Sequence, residues 1–284
     1  MYQLKTKFLA LALLMVGTAL VSCNDDDDAP QLNQIQKTQA VLEAFESGNK
    51  EALDYISDTK YIQHNLTFPD GKGVLAGFFT GEPTGIKFEN FRILEADNIV
   101  IAHSRYGGVW NNGTPQIGLD VFRFENGAIV EHWDNLQDES DPVTDVVNGN
   151  TQVNGPTQIG DGDAIANKTL ITNMVNDILI SGKWSIRDTY FSGSYIQHSV
   201  GMPNGTDWMA SFPEGTPFYK SLKAIYTSGN FAFVRAEGYP DATTGLSTAF
   251  FDLFRIEDGK IVEHWDTQQV IPDASTWANT NGKW

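Results

Sequence analysis

The sequence predicts an α+β protein of two tandem domains, each a curved antiparallel sheet packed against helices. Two observations carry this. FRFENGAIVEHWDNLQ at 122–137 returns as FRIEDGKIVEHWDTQQ at 254–269, and YIQHNLTFPDG at 61–71 returns as YIQHSVGMPNG at 195–205. The offsets, 132 and 134 residues, are the size of a whole domain and far longer than any solenoid repeat. Within each copy, helical periodicity comes first and strand-like runs follow, the order of domains that pack helices on one face of a sheet. Strongly curved, such a sheet becomes a cone whose open end can hold a small molecule.

In the first copy, Leu32, Ile35, Leu42 and Phe45 recur at helical spacing and Gly48 ends the helix. A short second helix runs from Lys50 to Ile56, followed by YIQH, a Pro-Asp-Gly turn at 69–71, and a helical stretch holding Val74, Leu75, Phe78 and Phe79. Four strands are expected at 86–95, 98–107, 117–125 and 128–137, the last two joined at Asn126-Gly127. In the second copy Ile165–Ile180 makes the long helix and Asp258-Gly259 the last turn. The polar, glycine- and asparagine-rich stretch between the copies reads as a linker. The expected boundaries are 31–147 for the first domain, 148–160 for the linker and 161–284 for the second domain.

Residues 1–22 read as an export signal: Lys5 and Lys7, then an apolar run from Phe8 to Leu20 that is shorter than the roughly 20 residues of a spanning helix. Cys23 is the only cysteine, so no intrachain disulfide forms. Asn24 and Asp25–Asp28 begin an acidic tether over 23–30. Removing the signal takes two lysines and no acids, so the net charge moves from −17 to −19. A polyanion of this strength repels phosphate backbones, which excludes nucleic acid as an expected partner.

Four of the five histidines form two matched pairs, His64 with His198 and His132 with His264; the position equivalent to His103 in the other copy is Arg235. Along the last strand His132 and Asp134 share one face, and Glu131 and Trp133 the other. A three-residue loop at the hairpin would set Asp120 opposite His132, with Asp120, His132 and Asp134 on one face. A two-residue Asn-Gly turn would instead put Asp120 with Glu131 and Trp133. An inward His-Asp-Asp cluster loses solvation and is kept for satisfied hydrogen bonding or for chemistry. Trp133 and Trp265 read as sheet-packing residues or as ligand platforms. His132, Asp134 and His64 are of the types found in a two-histidine, one-carboxylate metal site, but the expectation is no metal and no organic cofactor.

YIQHN...PDG followed by FRxExGxIVEHWDxxQ resembles the SnoaL-like branch of the nuclear-transport-factor-2-like superfamily, and the likeness covers both copies. It implies a cone-shaped α+β fold with a pocket between sheet and helices, and polyketide-cyclase-like chemistry: metal-free aldol condensation, cyclisation or isomerisation of a small apolar carbonyl compound. It places the acid/base aspartate at Asp134, or Asp266 in the second copy, and a further pocket position at Asp120 or Asp252. His64, His132, His198 and His264 complete the expected catalytic set. Tyr61, Gln63, His103 and Trp133, with Tyr195, Gln197 and Trp265, are the expected substrate contacts. The second copy, with Ser199 for Asn65, Asn204 for Asp70 and Arg235 for His103, reads as the degraded or differently specific half. LVSC resembles a bacterial lipobox, implying lipidation at Cys23 and a lipid-anchored, outer-membrane location in the cell envelope. The alternative to an enzyme is a non-catalytic envelope module binding a small ligand; a third reading has two domains packed as a pseudo-dimer with the motifs serving only the hairpins.

Overall fold

A computed structural model describes residues 31–145 and 147–284. The expected signal, the acidic tether up to Pro30 and Cys23 lie outside them. Among the described residues no helix is long and apolar enough to cross a membrane.

Helix α1 spans Gln34–Ser47 and is opened by a capping box between Asn33 and Gln36, which satisfies two otherwise orphaned donors. Gly48 closes it in the left-handed conformation at φ 71. Two short 3₁₀ turns, Lys50–Tyr55 and Lys72–Gly77, flank a two-residue strand β1 at Ile62–Gln63. Strands β2 (Ile86–Ala96), β3 (Ile99–Gly108), β4 (Gln116–Glu125) and β5 (Ala128–Asp138) follow. In the second repeat α2 spans Ala164–Met174 and runs on through a π turn to Ile180. Its strands are β6 (Phe191–Gln197), β7 (Tyr219–Ser228), β8 (Phe231–Gly238), β9 (Thr248–Glu257) and β10 (Lys260–Val270).

The α+β class is therefore as expected: two five-stranded sheets, ordered β1-β5-β4-β3-β2 and β6-β10-β9-β8-β7. Each sheet is mixed, because the YIQ segment joins as a fifth strand parallel to the last one.

Gly48 illustrates how tightly the helix end is specified. A Cβ there would lie 1.9 Å from the Glu82 carbonyl oxygen, whereas one at Gly71, also at positive φ, meets nothing within 4 Å. Gly48→Ala is expected to lower the unfolding free energy by roughly 2 kcal/mol or more, and Gly71→Ala by clearly less, as read from urea denaturation.

One face of each sheet packs against its own helices. In the first repeat this core includes Val41, Leu42, Val100, Phe122 and Ile129, and in the second Ile171, Met174, Trp184, Val234 and Phe254. The opposite faces pack on one another, with Ile101, Leu119, Val121 and Trp133 against Phe231, Phe233, Phe251 and Trp265 in one core. The repeats thus pair back to back. Arg92 lies 4.1 Å from the Trp265 ring centroid, and Arg235 lies 4.2 Å from that of Trp133. Such a desolvated cation over an indole is worth about 2 kcal/mol. Arg92 sits on β2 beside His103, while Arg235 sits on β8 beside Ala224. The cation has changed strands between the repeats, and Arg235 in place of His103 keeps the interface contact.

Candidate functional site

The last hairpin corrects both registers considered from sequence. Asn126 and Gly127 both have positive φ, 49° and 78°, and Glu125 pairs with Ala128, which is a two-residue turn of the primed type that suits strand twist. The pairing then skips Val130, since Phe124 faces Ile129 and Arg123 faces Glu131. This bulge restores the phase that the short turn would have lost. Asp120 consequently faces Asp134 directly, and His132 faces Phe122 rather than Asp120. Asp120, His132 and Asp134 still share the helix-side face, and Ile129 joins them there instead of standing with Glu131. The second repeat repeats the geometry, with Asp252 opposite Asp266 and His264 opposite Phe254.

In the second repeat His264 Nε2 lies 3.0 Å from Asp252 Oδ1, and its Nδ1 lies 2.8 Å from Gln197 Oε1. The Ser199 backbone N–H donates to the same Gln197 oxygen at 3.0 Å, so that oxygen is an acceptor and His264 Nδ1 carries the proton. Tyr219 donates its hydroxyl to Asp252 Oδ2 at 2.8 Å. Asp266 Oδ2 accepts from Ser199 Oγ at 3.0 Å and from Gln268 Nε2 at 2.8 Å. Burial pushes the Asp266 carboxyl above its ordinary range, with Asp252 adding to the rise and His264 opposing it. Burial, reinforced by the nearby aspartates, also raises the Tyr195 and Tyr219 phenols well above their usual range, so both stay protonated.

The first repeat has the same core. His132 Nδ1 lies 2.9 Å from Gln63 Oε1 and Nε2 lies 3.2 Å from Asp120 Oδ1. Asn65 Nδ2 donates to Asp134 Oδ2 at 2.6 Å, and Tyr106 donates to Asp120 Oδ2 at 2.9 Å. Burial raises Asp120, an effect that His132 partly offsets, and pushes the Tyr61 and Tyr106 phenols upward. Lys283 reaches in from the C-terminal segment, its ammonium 3.8 Å from Asp134 Oδ1 and donating to the Asp134 backbone oxygen at 2.7 Å. Burial holds that lysine down at about 8. Among the described residues, no lysine or arginine lines the second cavity.

The two hollows differ most in size. The first is about 30 Å³, room for one or two waters. Trp110 closes it, packed on Tyr106 and Phe45 with its indole N–H on Gln116 Oε1, and Phe68 and Leu136 also line it. The second is about 350 Å³, within the range of small-molecule sites. Met202 and Gln268 stand there where Phe68 and Leu136 stand in the first, and Trp184, Trp208, Phe250 and Phe254 complete apolar walls around Asp252, His264 and Asp266. Aromatic bulk has filled the first hollow, so the copy read from sequence as the degraded or differently specific half holds the roomier of the two. A surface groove of about 690 Å³ along Glu95–Asp97, α2 and Ile225–Gly229 is roomier, but it is open and holds no buried titratable group.

Of the residues singled out from sequence, Tyr61, Gln63, Asp120, His132 and Asp134 meet in the first hollow, and Tyr195, Gln197, Asp252, His264 and Asp266 in the second. His64 and His198 do not join them. His64 stacks on Trp133 at 4.7 Å and bonds Glu131 Oε1 and the Gly282 carbonyl; His198 stacks on Trp265 at 4.6 Å and bonds Glu263 Oε1 and the Thr151 carbonyl. Trp133 and Trp265 belong to the inter-repeat core. His103 is buried beside Arg92, 3.1 Å from its guanidinium, and burial holds its imidazole well below the usual range. The strand alternation that sends Gln63 inward sends His64 to the other face. Tyr106, Tyr219, Ser199, Gln268 and Lys283 are the site neighbours that sequence reasoning missed.

The two-histidine, one-carboxylate set of His132, Asp134 and His64 is therefore not assembled. Asp252, His264 and Asp266 do offer ligand atoms within 4.8 Å of one another, as do Asp120, His132 and Asp134. A cation there would have to displace the Asp252 contact of His264, since the other ring nitrogen is held by Gln197.

No family model and no curated protein matches the chain. Among solved structures it is similar to a provisional polyketide cyclase of Bacillus cereus, with 19% identity over 38% of this chain and 80% of that one and a TM-score of 0.31. It is similar also to an NTF2-like protein of unknown function from Cytophaga hutchinsonii, with 12% identity over 38% and 94% and a TM-score of 0.32. A third is a protein of ketosteroid isomerase-like fold from Catenulispora acidiphila in complex with trimethylamine, with 18% identity over 35% and 83% and a TM-score of 0.29.

Proposed function

We propose that the second repeat binds a small, largely apolar carbonyl compound and moves a proton next to its carbonyl by metal-free acid/base chemistry, as an aldol-type condensation, cyclisation or isomerisation requires. The observation that supports this best is the 350 Å³ apolar cavity closing on three buried groups, Asp252, His264 and Asp266. A carboxylate whose proton affinity is raised by burial is suited both to take a proton from carbon and to return it. Asp266 meets that requirement, because two donors hold Oδ2 while among the described residues Oδ1 makes no hydrogen bond. Protonated Tyr195 is placed to donate to a carbonyl or enolate oxygen in the same cavity. The Asp252–His264–Gln197 chain fixes the imidazole.

The first repeat, on this reading, is a scaffold copy that retains the polar cluster while aromatic side chains fill its space. We also propose lipid attachment at Cys23 and an envelope location, supported by LVSC and the acidic run behind it; mass spectrometry of the membrane-extracted N-terminal peptide tests this by the presence or absence of the acyl mass.

The test of the central reading is solvent-deuterium exchange. Incubated in D₂O with a panel of neutral cyclic ketones, the wild-type protein is expected to exchange the α-protons of those it binds, seen by proton NMR. Binding without exchange across the panel would establish the non-catalytic ligand-binding module instead.

A further inference from the structure

Each site loop is held by chain from the other repeat. The stretch between the repeats lies across the second repeat's loop: Asn148 Nδ2 donates to the carbonyls of Gln197 at 2.7 Å and Met202 at 2.8 Å. Asn150 Nδ2 donates to Asn204 Oδ1 at 3.1 Å and to the Gln197 carbonyl at 3.3 Å. The C-terminal segment treats the first repeat the same way. Asn279 Nδ2 donates to the carbonyls of Asn65 at 2.8 Å and Phe68 at 2.9 Å, and Asn281 Nδ2 to Asp70 Oδ1 at 2.9 Å and the Gln63 carbonyl at 3.0 Å. Within each pair, the second asparagine's backbone N–H donates to the side-chain oxygen of the first, at 2.8 Å and 3.1 Å. The two arms follow the last strands of their own repeats, yet each crosses to the opposite one.

The loop so gripped is the one that orders the site. Asn204 Oδ1, which Asn150 contacts, also accepts the Gln197 backbone N–H at 2.9 Å. Gln197 Oε1 in turn holds His264 Nδ1, and the Ser199 hydroxyl holds Asp266. The path from arm to imidazole therefore runs through Asn150, Asn204, Gln197 and His264, each link a direct hydrogen bond. The outer link of this path, Asn150 to Asn204, is exposed and the inner one, Gln197 to His264, is buried, so the arm holds from the surface a glutamine whose bond to the imidazole is shielded from water.

We infer that Asn148 and Asn150 are positioning residues for the second repeat's site and that Asn279 and Asn281 are those for the first, so that each site is completed by the arm of the other repeat. A repeat separated from its neighbour keeps its Asp-His-Asp groups and loses the grip on the glutamine that sets the histidine tautomer. The pairing is thus part of the site as well as of the apolar core.

The experiment reads the imidazoles without any substrate, so it stands apart from the carbonyl reading. Long-range ¹H–¹⁵N spectra of the full chain report Nδ1 and Nε2 of each histidine. Asn150→Ala is expected to move the His264 ring nitrogens toward tautomer-averaged positions and to leave His132 in place; Asn281→Ala is expected to move His132 and leave His264. Where Asn150→Ala does not fold, Asn150→Asp removes the amide donor at constant size and is expected to give the same crossed pattern. Unmoved rings in both variants, movement of the histidine in the arm's own repeat, or equal movement of all five histidines would overturn the inference.

Discussion

Asp266→Asn is expected to slow α-proton exchange into a bound ketone by about 10²- to 10⁴-fold, the usual worth of a positioned acid/base group, while ligand affinity stays nearly unchanged. The asparagine keeps an oxygen that can accept from Ser199 or Gln268, so the loss falls on proton transfer alone. Asp134→Asn in the first repeat is expected to leave exchange as it was, because a 30 Å³ hollow admits no ketone. Stability should move the other way from activity. Burial raises the Asp266 carboxyl above its unfolded value, so its favourable contribution is full below the unfolded value of about 4 and is lost as pH rises through the folded one. At pH 7 the native site carries that cost, and removing the carboxylate relieves it. Thermal melts of Asp266→Asn should therefore match or exceed wild type near pH 7. A variant that lost exchange only in proportion to lost stability would assign the aspartate to the fold instead.

The fold was legible because its strongest signals are local. Gly48, Asn126-Gly127 and the alternation of β2 to β5 each announce a break or a period on their own, and the duplicate confirmed them. Two things were not local. The bulge at Val130 leaves the composition of the strand unchanged, and only the pairing partner shows that it rescues the phase of a two-residue turn. The second is which side of each sheet the other repeat covers. His64 was grouped with Tyr61 and Gln63 because they adjoin in sequence, although a period of two puts Tyr61 and Gln63 on one face and His64 on the other. Nothing in the sequence says that this second face meets a second sheet, so Trp133, Trp265 and His103 could be read into the pocket.

The hydroxyl donors to the buried aspartates show most clearly what the repeat hides. Tyr106 on β3 serves Asp120, whereas Tyr219 on β7, the counterpart of β2, serves Asp252. Position 238, which matches Tyr106, is glycine. Copying accounts for a motif that recurs in place. It does not account for the same hydrogen bond delivered from a neighbouring strand, and the physical requirement that a buried carboxylate oxygen be satisfied does. The interface cation, Arg92 on β2 and Arg235 on β8, has made the same kind of exchange. In both cases the contact persisted while its sequence position changed, which aligning the halves alone does not reveal.

Glu263→Ala is expected to be among the most destabilising single changes in this chain, by about 3–5 kcal/mol at neutral pH, the range for breaking a buried ion pair from one side. Glu263 is 2% exposed and bridges Arg255 Nε at 2.7 Å and His198 Nε2 at 2.8 Å. Both nitrogens of His198 face oxygen acceptors, Glu263 and the Thr151 carbonyl, and the ring lies flat on Trp265. Removing the carboxylate takes the acceptor from both His198 Nε2 and Arg255 Nε at the buried face, leaving Arg255 only its partner Glu257. The counterpart Glu131 has a side chain 14% exposed, and Glu131→Ala should cost visibly less. Acid distinguishes this account from a simple packing loss. Burial alone would raise the Glu263 carboxyl, but His198 and Arg255 outweigh it and leave the group below its ordinary range. Its contribution is therefore present above the unfolded value of about 4.3 and fades as pH falls through the folded one. The gap between wild type and Glu263→Ala, read from urea unfolding, should accordingly narrow as the pH is lowered below about 4. A gap that stayed constant with pH would mean that the lost methylenes, and not the charge on the carboxylate, hold the repeats together at this point.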